Sequence, residues 1–197
     1  MMNEVEKFKE RFFNLPSRGF GESYVQPILY IVLGDAPYNK GNEVDAFRPT
    51  TGEKGEYKAI RVVFENDKNK STLYDSVMGS ESMSDRIGSL KDIEDGKIVA
   101  NCQNIKLNEF DYLVYVLVDD YGFHIFEISA EDFKEFANKK QFPNWSPNHG
   151  RMEKGKNGQF PIKGENLQWH FQHCFKKRVP WEEIMDISKT IAAYYHS

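Results

Sequence analysis

The chain has 197 residues, 40% of them hydrophobic, 14% aromatic and 28% charged, a globular composition that excludes a disordered chain and suits one ordinary domain. No apolar run reaches membrane-spanning length, and MMNEVEKFKE at the start lacks the apolar core of a secretory signal. Cys102 and Cys174 show neither CxxC spacing nor a disulfide framework, so a cytoplasmic protein with no membrane partner is expected. The net charge of −4 is unevenly spread. Lys134 to Arg178 holds ten Lys/Arg against three Glu, a net +7, and the remainder carries −11. Such asymmetry lets one face meet a polyanion while the rest repels it.

Residues 3–15 place apolar side chains at 5, 8, 12, 13 and 15, the pattern of an amphipathic helix that stops before Pro16. After the SRGFG turn a second helix is predicted from about Glu22 to Leu33, ending at Gly34. Pro27 fits its first turn if the helix starts nearer Val25. The segment DAPYNKGNE reads as loop, and VDAFRPT and EYKAIRVVF read as a β-hairpin around TGEKG. Residues 65–98 are polar and glycine-punctuated, with short helices expected at Ser71–Met78 and Ser82–Leu90.

The stretch FDYLVYVLV (110–118) is apolar nearly throughout, a strand buried on both faces. The DDYG turn leads into a second strand, FHIFEIS (123–129), and SAEDFKEFANKK follows as a serine-capped helix. Residues 141–166 read as a long loop or ribbon, and a final helix runs from about Trp181 to Tyr195. The order αα-ββ-(α)-ββ-α-loop-α predicts an α/β fold, a central mixed β-sheet flanked by helices, in a single domain over 1–197.

An acid-x-Lys triplet occurs three times: Glu56-Tyr57-Lys58, Asp95-Gly96-Lys97 and Asp132-Phe133-Lys134. Asp95 falls in a turn and Asp132 starts a helix, whereas Glu56 and Lys58 open a strand, where period-two geometry puts them on one face. The hairpin brings Asp45 opposite or near Glu56. Two converging carboxylates repel unless a cation neutralises them, the logic of a Mg²⁺ site. A lysine beside them can orient or deprotonate an attacking water, and Glu22 is a candidate third carboxylate, against the plainer reading of a helix-start acid set by the helix dipole. Arg151, Lys154, Lys156 and Lys163, interleaved with Gly and Asn, could form a phosphate-contacting loop, against the plainer reading of an ordinary surface loop. HFQHCF (170–175) has no second Cys/His pair at finger spacing and is read as packing beside Trp169 and Phe171. No GxSxG, GxGxxG or GxxxxGK is present.

These parts together (glycine-preceded Glu22 on a helix ending at Gly34, then VDAF, then EYKAIRV after a short turn, then FDYLVYVLV) resemble the PD-(D/E)XK nuclease superfamily, and within it the type II restriction endonucleases, over roughly residues 20–130. The resemblance implies a restriction-endonuclease-like core in which Asp45 and Glu56 bind Mg²⁺ and Lys58 acts with them to hydrolyse double-stranded DNA, with Glu22 in a supporting place. It also implies a homodimer on palindromic sites and, for a restriction system, a cognate DNA methyltransferase as a genomic neighbour. Val44 stands where the family often has proline. Two other expectations stand beside it: a nonenzymatic α/β binding module whose acids and lysine form surface pairs, and a repair, mobile-element or phage nuclease of the same fold.

Overall fold

The computed structural model describes residues 2–16, 19–38, 44–64, 87–147 and 158–195. In chain order the elements are α1 (Glu4–Phe13), a π-helical turn (Phe20–Val25), α2 (Gln26–Leu33), β1 (Ala36–Pro37), β2 (Ala46–Phe47), β3 (Lys54–Arg61), α3 (Leu90–Glu94), β4 (Ala100–Ile105), β5 (Tyr112–Val118), β6 (Gly122–Ser129), α4 (Ala130–Asn138), β7 (Gly158–Ile162), α5 (Gly164–His173), β8 (Phe175–Pro180) and α6 (Trp181–Tyr195). Six strands form one sheet in the order β1-β2-β3-β5-β6-β8, and β4 pairs with β7 in a separate ribbon. Within the large sheet β3 and β5 are parallel and every other pair is antiparallel. The fold is therefore α/β with a mixed central sheet flanked by helices.

The strand β5 is buried at all seven positions because both faces of the sheet are covered, which is why its sequence is a continuous apolar run. On one face Phe12, Phe13, Val25, Ile28, Leu29, Trp181 and Ile184 bring α1, α2 and α6 onto Val114, Val116 and Val118. On the other, Ile93, Cys102, Phe133, Phe160 and Leu167 bring α3, the β4–β7 ribbon, α4 and α5 onto Leu113, Tyr115 and Leu117. The described part of the β3–β5 connection, α3 and β4, thus covers this second face together with α4, β7 and α5.

The second helix divides in two. Residues 20–25 are π-helical, and the α-helix begins after Val25 with Pro27 in its first turn and Gly34 (φ 73°) at its C-cap, where a left-handed residue is least strained as glycine. The expected helix Ser71–Met78 lies outside the described residues. The described end of Ser82–Leu90 is not helical: Ile87 bridges Val63, and α3 starts only at Leu90, behind a Ser89–Asp92 capping box. Of the loop or ribbon expected over 141–166, residues 141–147 are irregular, β7 forms a ribbon with β4, and the start of α5 departs from the expectation. Here Pro161 masks a five-residue strand. The helix is capped by an Asn three residues in, Asn166 Oδ1 accepting from Lys163 N–H at 2.9 Å, rather than by a polar residue at the cap itself. Among the described residues no helix is long and apolar enough to cross a membrane.

His170 is fully buried, 2.8 Å from the Tyr115 hydroxyl through Nδ1 and stacked on Phe160, while His173 packs on Trp169. Burial depresses the His170 pKa to about 3, below the ordinary value of about 6.5 that applies to the unfolded chain. As pH falls below 6.5 the unfolded state binds a proton that the native ring refuses, so this contribution to stability is present above 6.5 and lost in acid. His170 alone should make the protein about 2 kcal/mol less stable at pH 5 than at pH 7. Urea unfolding at the two pH values should show the difference shrinking by that amount in His170→Gln; an equal pH dependence in both proteins would refute it.

Candidate active site

The β2–β3 hairpin holds its ladder only briefly. Ala46 pairs with Gly55, the Asp45 N–H donates to the Gly55 carbonyl at 3.0 Å, and the next donor on β3, the Tyr57 N–H, is taken by the Asp45 side chain, Oδ2 accepting at 2.8 Å. A carboxylate therefore replaces a strand carbonyl at the edge of β3, between Glu56 and Lys58. Opposite Leu113 and Tyr115 in the parallel register, the side chains of Glu56 and Lys58 share one face, as period two requires. Asp45, Glu56 and Lys58 are brought together.

Glu56 is 6% exposed and ion-paired with Lys58. Burial pushes its carboxyl above the usual range, the Lys58 ammonium pulls it back, and the neighbouring Asp45 charge raises it again. Burial pushes Lys58 down, but Glu56 and Asp45 outweigh it and hold the ammonium above its ordinary pKa. The group is a desolvated acid with a charged lysine, not the solvated cross-strand pair that contributes a few tenths of a kcal/mol. Lys106, at the end of β4, adds positive charge toward Glu56. Beneath, burial lifts the Cys102 thiol to about 12, which leaves it inert as a nucleophile. The other two acid-x-Lys triplets are ordinary: Asp95 and Lys97 form an exposed turn pair at 3.1 Å, and Asp132 sits in the capped first turn of α4.

Glu22 is exposed on the π-helical turn, which rests on β3 through Gly21 and Ala59, on the face opposite Lys58; no contact joins Glu22 to Asp45 or Glu56. Lys163 precedes α5 and pairs with Glu165 at 2.6 Å. Arg151, Lys154 and Lys156 lie outside the described residues. Among the described residues no group of three or more His, Cys, Asp or Glu is placed to hold a metal ion, so the acid set is the pair Asp45 and Glu56.

A second network, on the other face, escaped the sequence reading. Tyr57 donates its hydroxyl to Asp35, and the Tyr112 hydroxyl donates to the same oxygen at 2.8 Å. Arg48 lies 3.6 Å from Asp35 and 2.6 Å from Glu127, with its guanidinium 4.0 Å over the Tyr112 ring. Gly55 makes room for that ring: a Cβ there would stand 2.4 Å from it. The Tyr30 hydroxyl donates to the Asp45 carbonyl at 3.0 Å, and burial with the Asp45 charge raises its pKa to about 12. Tyr57 is thus pinned through its backbone by Asp45 and through its side chain by Asp35, which fixes Glu56 and Lys58 on either side of it.

No protein-family model matches the chain, and neither a curated protein nor a solved structure matches it. The chemistry of the site follows from its residues: two hard oxygen donors and a fixed cation, suited to a divalent ion and an anionic substrate.

Proposed function

We propose that the protein is a Mg²⁺-dependent DNA endonuclease with a core like that of the PD-(D/E)XK nucleases, acting on double-stranded DNA as a type II restriction enzyme does. The observation that carries the reading is the meeting of Asp45 with the buried Glu56–Lys58 pair at the point where β2 leaves β3. The succession on which the resemblance rests, a helix, VDAF, EYKAIRV and FDYLVYVLV, falls on α2, β2, β3 and β5, with β3 and β5 adjacent and parallel. A nonenzymatic binding module would hold the same group as a structural ion pair; the burial of Glu56 beside a second acid favours the catalytic reading, since desolvated, charge-coupled carboxylates concentrate at functional sites.

Asp45 and Glu56 would hold the ion. Their mutual repulsion, the upward push of Asp45 on Glu56, is what a divalent cation would relieve, and one or two carboxylates are the usual protein share of a Mg²⁺ site. Bound Mg²⁺ supplies charge stabilisation at the phosphate and a more acidic water. Lys58, kept protonated by its two acidic neighbours, orients the attacking water or a phosphate oxygen by donating hydrogen bonds. Tyr57, held from both sides, keeps the two groups at fixed separation. The basic segment 134–178 would contact the phosphate backbone, a homodimer would match a palindromic site, and a methyltransferase gene nearby would place the enzyme in a restriction system.

Metal binding tests the acid pair. At a metal concentration ten times Kd the native state gains about 1.4 kcal/mol, a rise in Tm of a few degrees. Mg²⁺, Mn²⁺ or Ca²⁺ should produce that rise in the wild type and not in Asp45→Asn, whose amide oxygen can still accept the Tyr57 N–H and keep the fold. A wild-type Tm unmoved by millimolar metal would remove the site.

A further inference from the structure

Strand β8 ends the six-stranded sheet, and its outer edge has no strand partner among the described residues. It carries Phe175, Lys176, Lys177 and Arg178 in succession. Lys176 pairs with Glu127 at 2.9 Å and Lys177 lies 4.0 Å from Glu183. Arg178 has no acid partner among the described residues. Its guanidinium instead lies 5.7 Å from the Phe171 ring and 6.0 Å from each of the Tyr121 and Phe175 rings, within reach of cation–π attraction. Two of these rings face solvent, Tyr121 at 47% and Phe175 at 39% exposure. Tyr121 packs on buried His124, and Phe175 on Phe126 and Phe171. In the ladder Arg178 stands opposite His124 and Phe175 opposite Phe126, so cation and rings line one rim of one sheet face.

We infer that this rim binds single-stranded nucleic acid, with Tyr121 and Phe175 stacking on bases and Arg178 holding a phosphate. An arginine with no acid partner among the described residues, set beside two exposed rings, suits a partner with both negative charge and flat π-faces. Single strands offer both, whereas a duplex keeps its base faces stacked on one another. A second copy of the chain fits poorly, since antiparallel pairing of two β8 edges would set like charges against each other. The rim is separated from the Glu56–Lys58 site by β5 and β6, and its binding requires neither metal nor cleavage.

The test is fluorescence anisotropy of a labelled oligothymidylate with the full chain in EDTA, alongside a duplex of the same length. Tyr121→Ala and Phe175→Ala should each weaken single-strand binding about tenfold, and Tyr121→Ala, outside the segment 134–178, should leave duplex affinity unchanged. Arg178→Gln should lower the log–log salt slope by about 0.7. Tyr121 lies in an exposed turn, so its variant keeps the test valid should Phe175→Ala unfold. Single-strand affinity untouched by the ring variants overturns the inference, as does an equal loss on duplex in Tyr121→Ala. So does a Phe175→Ala change that dissociates an oligomer without altering nucleic-acid binding, which would make β8 a self-pairing edge. The rim is two strands away from β3, so loss of single-strand binding in Tyr121→Ala with metal-dependent cleavage unaltered bears on this inference alone, and the metal-dependent Tm shift bears on the nuclease reading alone.

Discussion

Lys58→Ala is expected to slow DNA cleavage by about 10²- to 10³-fold, the loss typical when one fixed donor is removed from a site where charge develops. DNA affinity should stay within a few-fold, because Lys58 meets one phosphate among the many that set binding. The substitution also leaves Glu56 buried without its cation, so its carboxyl pKa should rise further. Lys58→Met, which keeps the apolar stem, separates that effect from lost packing. Initial rates on plasmid DNA at saturating enzyme read the result. A variant that cuts at the wild-type rate would exclude Lys58 from the mechanism.

The largest loss of stability is expected at Asp35, whose side chain is 1% exposed and serves Tyr57, Tyr112 and Arg48 together. Asp35→Ala leaves two buried hydroxyls without their acceptor and a guanidinium short of one acid. Breaking a buried polar network in this way costs about 3 to 5 kcal/mol, whereas Tyr57→Phe, which removes one hydroxyl and leaves the ring, should cost about 1 kcal/mol. Urea denaturation measures both. A loss under 1 kcal/mol for Asp35→Ala would show that the network does not hold the hairpin, and with it the idea that Tyr57 anchors Glu56 and Lys58.

What could be read from the sequence is what local period and turn chemistry encode. The uninterrupted run of β5, the serine cap of α4, the spacing of Phe12 and Phe13 in α1 and the glycine turn before β3 were each enough to place an element. The strand β8 was not legible because FKKRVP looks like a run of charge; only its pairing with β6 makes it a strand. In β4 the polar Asn101, Gln103 and Asn104 conceal the buried Ala100, Cys102 and Ile105. The site divides in the same way. Glu56 and Lys58 follow from alternation on one strand, and Asp45 from the hairpin that faces it. Asp35, by contrast, reaches Tyr112 across 77 residues, and Lys106 approaches Glu56 from the end of β4. Such partners are chosen by the packing of β5 beside β3, and no spacing in the sequence announces them. Glu22 shows the converse: a carboxylate at a suggestive distance along the chain, which the π-helical turn sets on the other side of the strand.

Cleavage itself is the most direct test. Purified protein incubated with plasmid and phage DNA in millimolar Mg²⁺ should convert it to discrete fragments, as a restriction enzyme does, and the same mixture in EDTA should leave it intact. A metal-dependent smear would retain the chemistry and assign a nonspecific nuclease role. DNA that stays intact in Mg²⁺ and Mn²⁺ alike would contradict the account and make Asp45, Glu56 and Lys58 a buried ion cluster of a binding protein.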